Sequence, residues 1–236
     1  HIGPLAMAVN FAQAAHCQLD EVLIILGYLM SRYLNLSTTA TSTDDKIGIR
    51  AIIDSLEKHW SKSDQTVFIA AIILNPLYKA KLFAQIRQFT MASITSLLLK
   101  LWQRFHSSPP PESLCQEILD YLQDRGNYEG FSEWAVGEQN AAEAQRERPD
   151  PLRMYEGIRF QNQSLSPLQM IAQRIFSICA NSASCERLFS LFGMILILTK
   201  LRSRLGLEKM LDLAELRLHL RDEYMRRGSM KDRLRR

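Results

Sequence analysis

Four residues near the end of this chain have types and spacing suited to chemistry on phosphate. Glu186 and Arg187 adjoin in the run Asn181-Ser182-Ala183-Ser184-Cys185-Glu186-Arg187, and Arg202 and Arg204 alternate in Lys200-Leu201-Arg202-Ser203-Arg204. Arginines so placed can hold the phosphates of a nucleic acid, which fixes position without reading sequence. They serve equally to pair with Glu186 or nearby acids, or to face water. Glu186 itself needs no ligand, because an acid in the first turn of a helix is stabilised by the helix dipole. Residues 221–236 add seven Lys or Arg against Asp222, Glu223 and Asp232, a surplus equal to the whole net charge of +4. Such a tail attracts DNA or RNA phosphates, or is simply a solvated terminus.

Other chemistries find little support. The four cysteines, Cys17, Cys115, Cys179 and Cys185, form no Cys-x-x-Cys pair, which argues against a zinc finger. They lie in apolar helical patterns, as small hydrophobes do, and fit a reducing compartment, the cytosol or nucleus. No Gly-x-Ser-x-Gly, P-loop or His-Glu-x-x-His pattern is present, so no small-molecule substrate, cofactor or metal is expected. No run of about 18 apolar residues suggests a membrane span. The chain opens on His1 rather than Met, as expected of a piece of a longer protein.

The elements that position these residues should be helices. The chain is rich in Leu and Ile, while Val occurs only at Val9, Val22, Val67 and Val136. Residues 4–34 carry a broad apolar face, followed by a Ser/Thr-rich loop at 37–43. Asp44 or Asp45 should cap a helix to about Trp60, with Ile49, Ile52, Ile53 and Leu56 on one side. Asp64 should cap a short apolar helix that Asn75-Pro76 stops. A long helix is predicted from Tyr78 to about Phe105, ended by Pro109-Pro110-Pro111, then another over 112–123 with Pro111 at its start. The glycines and prolines of 126–150 predict a linker. Ser166-Pro167 reads as a cap and first helical residue, with Leu168, Ile171, Ala172, Ile175, Phe176 and Cys179 on the apolar face. The last helix should run from Leu207 to about Arg226.

Three segments carry a family resemblance. Ala70-Ala71-Ile72-Ile73-Leu74-Asn75-Pro76-Leu77-Tyr78-Lys79 is similar to a Leu-Asn-Pro-x-Tyr-Lys element of the hAT DNA transposases. Leu168–Ile178 resembles the apolar helix before their C-terminal signature, and Ser182–Leu205 resembles that signature, usually called the dimerisation region. The likeness spans about residues 20 to 220. It implies the helical part of an RNase H-like enzyme that works in the nucleus and cuts and joins DNA. Two Asp and one Glu of that enzyme hold divalent metal, and the Glu falls at Glu186. Two Mg²⁺ ions need clustered carboxylates, and one acid cannot hold them. No strand segments bearing the two Asp are found, so the chain is expected to lack enzymatic activity of its own, with Mg²⁺ only in a complete transposase. The family has three residues between Gly193 and Thr199 where this chain has five, Met194–Leu198. Two extra residues turn the following helical face by about 200°. Gly193 is expected to allow close helix approach.

The fold expected is mostly α. A helical insertion-type region (1–125) precedes the linker (126–150), a C-terminal helical block (151–225) and a basic tail (226–236). In a whole transposase that block packs on an RNase H-like sheet, and here the sheet should be missing or minimal. In the last helix Leu207, Met210, Leu211, Ala214 and Leu218 form one stripe, and Leu213, Leu216 and Leu220 a second. One stripe can face the chain's own core and the other a partner, giving a homodimer. Three readings follow, in order: a transposon-derived module that dimerises, the C-terminal part of an active DNA transposase, and a nucleic-acid-binding protein using the basic tail.

Overall fold

The computed structural model of the chain describes residues 2–14, 17–159, 163–182, 186, 189–190, 193 and 207–226. They are mostly helical, with no strand among the described residues. The chain divides into two compact units, His1–Ala12 with His16–Ala180, and Gln13–Ala15 with Asn181–Arg236.

In the first unit α4 (Gln65–Leu74) is the centre. Its sequence, Gln-Thr-Val-Phe-Ile-Ala-Ala-Ile-Ile-Leu, is apolar all round, and Ala70 to Leu74 are buried without interruption. A helix with no polar side has to be covered on every side. The cover comes from α2 (Leu19–Thr39), α5 (Met91–His106) and α9 (Pro167–Phe176). Leu98 and Leu101 of α5, Leu114 and Ile118 of α6 (Ser113–Leu122), and Leu168, Ile171 and Ile175 of α9 join it in one core. A smaller core lies between α2 and α3 (Thr43–Lys62), from Leu29, Tyr33, Ile49, Ile53 and Leu56, with Leu5 and Ala8 of α1 (Gly3–Ala12) against it.

Helix ends follow local chemistry. Ser166 Oγ accepts from Gln169 N while Gln169 Oε1 accepts from Ser166 N, a reciprocal capping box with Pro167 as the first helical residue. Thr90 and Ser93 form the same arrangement at the start of α5. The last carbonyls of α4 lack helical partners. Tyr121 Oη donates to the Ile73 carbonyl at 3.0 Å, and Tyr155 Oη to the Leu74 carbonyl at 2.7 Å. Those two rings pack with Tyr128 and Phe131 in one aromatic cluster.

Several local expectations change. The long helix over 78–105 is broken, because Lys79 has φ +49°, a left-handed value no helix interior accepts. A turn and a 3-10 segment, Lys81–Phe83, occupy the gap, and the Thr90 cap restarts the chain. The Ser/Thr stretch expected as a loop extends α2 to Thr39, since Ser37, Thr38 and Thr39 hydroxyls donate to the carbonyls of Leu34, Asn35 and Leu36. Ser42 occupies the cap position before α3, with Asp44 and Asp45 inside its first turn. Glu112 rather than Pro111 precedes α6.

The segment 126–150, expected as a linker, instead carries a 3-10 turn, Gly126–Tyr128, and α7 (Phe131–Ala144). Gly126 and Gly130 supply positive φ for the turn, and Tyr128, Phe131 and Ala135 are buried in the main core. α8 (Pro151–Glu156) follows, with Met154 and Tyr155 buried. Cys115 and Cys179 are exposed rather than core residues, Cys17 is buried, and Cys185 lies outside the described residues.

In the second unit the described positions 186, 189, 190 and 193 are helical. The last helix, α10, spans Leu207–Arg226 as expected. Among the described residues nothing stands close to where a Cβ on Gly193 would lie. The two extra residues within 194–198 and the basic tail after Arg226 lie outside the described residues.

Candidate functional site

α10 carries the densest set of expected site residues. At about 100° per residue, Leu213, Leu216 and Leu220 fall on one line along the helix. They are 43%, 54% and 53% exposed, and Leu211 is 48% exposed, whereas Ala214 is buried. Among the described side chains of this helix Ala214 alone is covered, and the helix is open along the second leucine stripe as well as at Leu211 of the first. The side chains of Leu207, Met210 and Leu218, also expected to act in dimerisation, lie outside the described residues.

Glu186 is exposed at a helical position. Its amide donates to the Ser182 carbonyl at 2.9 Å, and Ser182 Oγ donates to Glu186 Oε1 at 2.6 Å. The carboxylate is therefore held by the residue one turn before it, as a capping group would be. Among the described residues no group of three His, Cys, Asp or Glu stands close enough to hold a metal ion, so Glu186 has no described partner acids for a two-metal centre. Arg187, Arg202 and Arg204 lie outside the described residues.

A buried polar cluster surrounds the Asn75-Pro76-Leu77-Tyr78-Lys79 element. Asn75 Oδ1 accepts from Leu77 N at 3.0 Å, closing the turn, and Asn75 Nδ2 donates to Asp20 Oδ2 at 2.7 Å. Asp20 is only 2% exposed, and its Oδ1 has no hydrogen-bond partner. Burial, with help from the negative charge of Glu21, pushes the Asp20 carboxyl above its ordinary range despite the Asn75 bond. Burial also pushes the neighbouring Cys17 thiol up to about 11, so this sulfur is a poor nucleophile. Lys79 is 3% exposed and donates to the Tyr121 carbonyl at 2.7 Å. These contacts bind elements together and leave no open reacting atom. Asp20 and Lys79 were not legible as buried ions, since their partners lie 55 and 42 residues away in sequence.

A shallow apolar hollow of about 150 Å³ lies among α2, α3 and α4, lined chiefly by Leu23, Leu26, Trp60 and Phe68. It has room for one small apolar group and no convergent polar atoms of a substrate site. No helix among the described residues is long and apolar enough to cross a membrane.

Comparison of the chain with protein-family models, curated proteins and solved structures finds no match.

Proposed function

We propose that this chain is a transposon-derived, hAT-like module that associates with itself through α10 and has no transposase activity of its own. The observation that carries the reading is the open line of Leu213, Leu216 and Leu220 on a helix covered at Ala214. Scattered exposed leucines need no explanation, but three in line on one helix make a ready contact strip.

Magnitudes set the strength. Full burial of a leucine is worth about 1.5–3 kcal/mol, and these are already half covered, so each adds about 1 kcal/mol. Three from each copy give about 6 kcal/mol before the cost of association, short of the ~8 kcal/mol of a micromolar complex. The dimer should be weak: the gross ~6 kcal/mol alone corresponds to a dissociation constant of about 40 μM, and the cost of association raises it further, toward the millimolar range.

Light scattering over a concentration series up to about 1 mM tests this, alongside Leu216→Asp. A dimer that grows with concentration and disappears in the variant is expected. A monomer at every concentration overturns the reading.

A further inference from the structure

We infer that the second copy docks with its α10 parallel to the first and in register, so that Asp212 of each copy meets Arg217 of the other. This rests on the self-association reading and adds an orientation and the two residues that set it.

The flanks of the open leucine line carry the inference. Measured around the helix from the line through Leu213, Leu216 and Leu220, Asp212 stands about 70° to one side and Arg217 about 70° to the other. Both are exposed. His219 and Glu208, also exposed, lie on the Asp212 side. One flank is thus anionic apart from its histidine, and the other presents a guanidinium.

Two identical helices can meet along such a line in two ways. In an antiparallel pair each flank faces its own kind, which sets Arg217 beside Arg217 and gathers Asp212 with Glu208 and His219. In a parallel pair each flank faces the opposite flank. The five-residue step from Asp212 to Arg217 is the step by which side chains flanking an apolar seam reach across to the next heptad of a parallel partner. Opposite charges then meet twice, once on each side of the seam, and this complementarity selects the orientation. Lys209 falls on the line itself, one turn before Leu213, and is exposed. In the parallel pair it meets its own copy across the seam, a like-charge contact that marks the seam's N-terminal limit, where the exposed amines can turn to water and Asp212 three residues on is placed to offset them.

The test uses the full chain with Asp212→Arg, Arg217→Asp and the double exchange, read by sedimentation equilibrium, with helix content checked by circular dichroism. For the parallel pair each single exchange should weaken the dimer about threefold to tenfold, and the double exchange should restore it. Dimers of unchanged strength in both single variants would overturn the orientation while leaving self-association standing. Weakening that the double exchange fails to restore would overturn it too. A wild-type chain that never dimerises removes both readings.

Discussion

Lys79 Nζ lies 2.9 Å from Asp124 Oδ2 and donates to the carbonyl of Tyr121, so one ammonium joins the turn after α4 to the end of α6. The two partners are unequally placed, for the amine is buried and the carboxylate is about a third exposed. Burial pulls the Lys79 ammonium below its ordinary range, against the opposing pull of Asp124. Burial also works against the charge on Asp124, but bonds from Ser132 and Lys79 outweigh it and hold that carboxyl low.

Lys79→Met should therefore destabilise the fold by about 1–2 kcal/mol, below the usual cost of breaking a fully buried pair because Asp124 keeps water. Urea unfolding measures it. A double-mutant cycle with Asp124→Asn should show coupling, and strictly additive effects would remove the bridge from the account.

Asp20 sets a pH dependence of opposite sign to the usual carboxylate. Its folded value is raised above 3.8, so the folded chain holds this proton more tightly than the unfolded one. The stability it contributes is fully present below 3.8 and is lost as pH rises through the folded value. Asp20→Asn keeps an oxygen for Asn75 and removes the buried charge. It should raise stability by about 1 kcal/mol on the alkaline side and flatten this part of the profile. Denaturation midpoints of the two proteins across pH 4 to 8 decide it, and parallel profiles would refute the assignment.

Glu117 caps a helix from a distance. Oε2 accepts from Leu168 N at 3.0 Å, and Oε1 accepts from Tyr128 Oη at 2.7 Å and from Ser166 Oγ. A carboxylate at the N-terminus of α9 also meets the positive end of the helix dipole. Glu117→Ala should cost about 2–3 kcal/mol, since it strips three donors at once. Hydrogen exchange should show the first turn of α9 opening before its centre, and unchanged protection there would contradict the role.

Gly157 is held to its size by an indole. A Cβ at this position would overlap the Trp134 indole at Nε1. The Trp134 side chain is half exposed and can swing outward, so Gly157→Ala should cost only about 1 kcal/mol. Combining it with Trp134→Ala should remove most of that penalty, and an undiminished penalty in the double variant would place the strain elsewhere.

The sequence displays α9 almost completely, because Ser166, Pro167 and Gln169 act on neighbours within three residues. The same holds for α10, whose two leucine stripes are visible in its spacing. The gap between α4 and α5 was hidden, since nothing beside Lys79 announces that its amine is drawn to Tyr121 and Asp124. The glycines at 126 and 130 looked like linker residues because a turn that launches a buried helix uses the same positive φ as a loose chain. For the candidate site, the spacing shows two stripes, but only the fold shows that Ala214 is covered while Leu213, Leu216 and Leu220 stand exposed.

Ala70 through Pro76 are buried one after another, Leu77 packs against the same core, and Lys79 is buried two residues on. A stretch with no outward side has no position free to drift, because each alternative side chain either leaves a void or meets a neighbour. Any distant kin that keeps this fold should retain these ten letters, 70–79, better than the helices around them. The most ordinary-looking apolar run in the chain would then be its lineage mark.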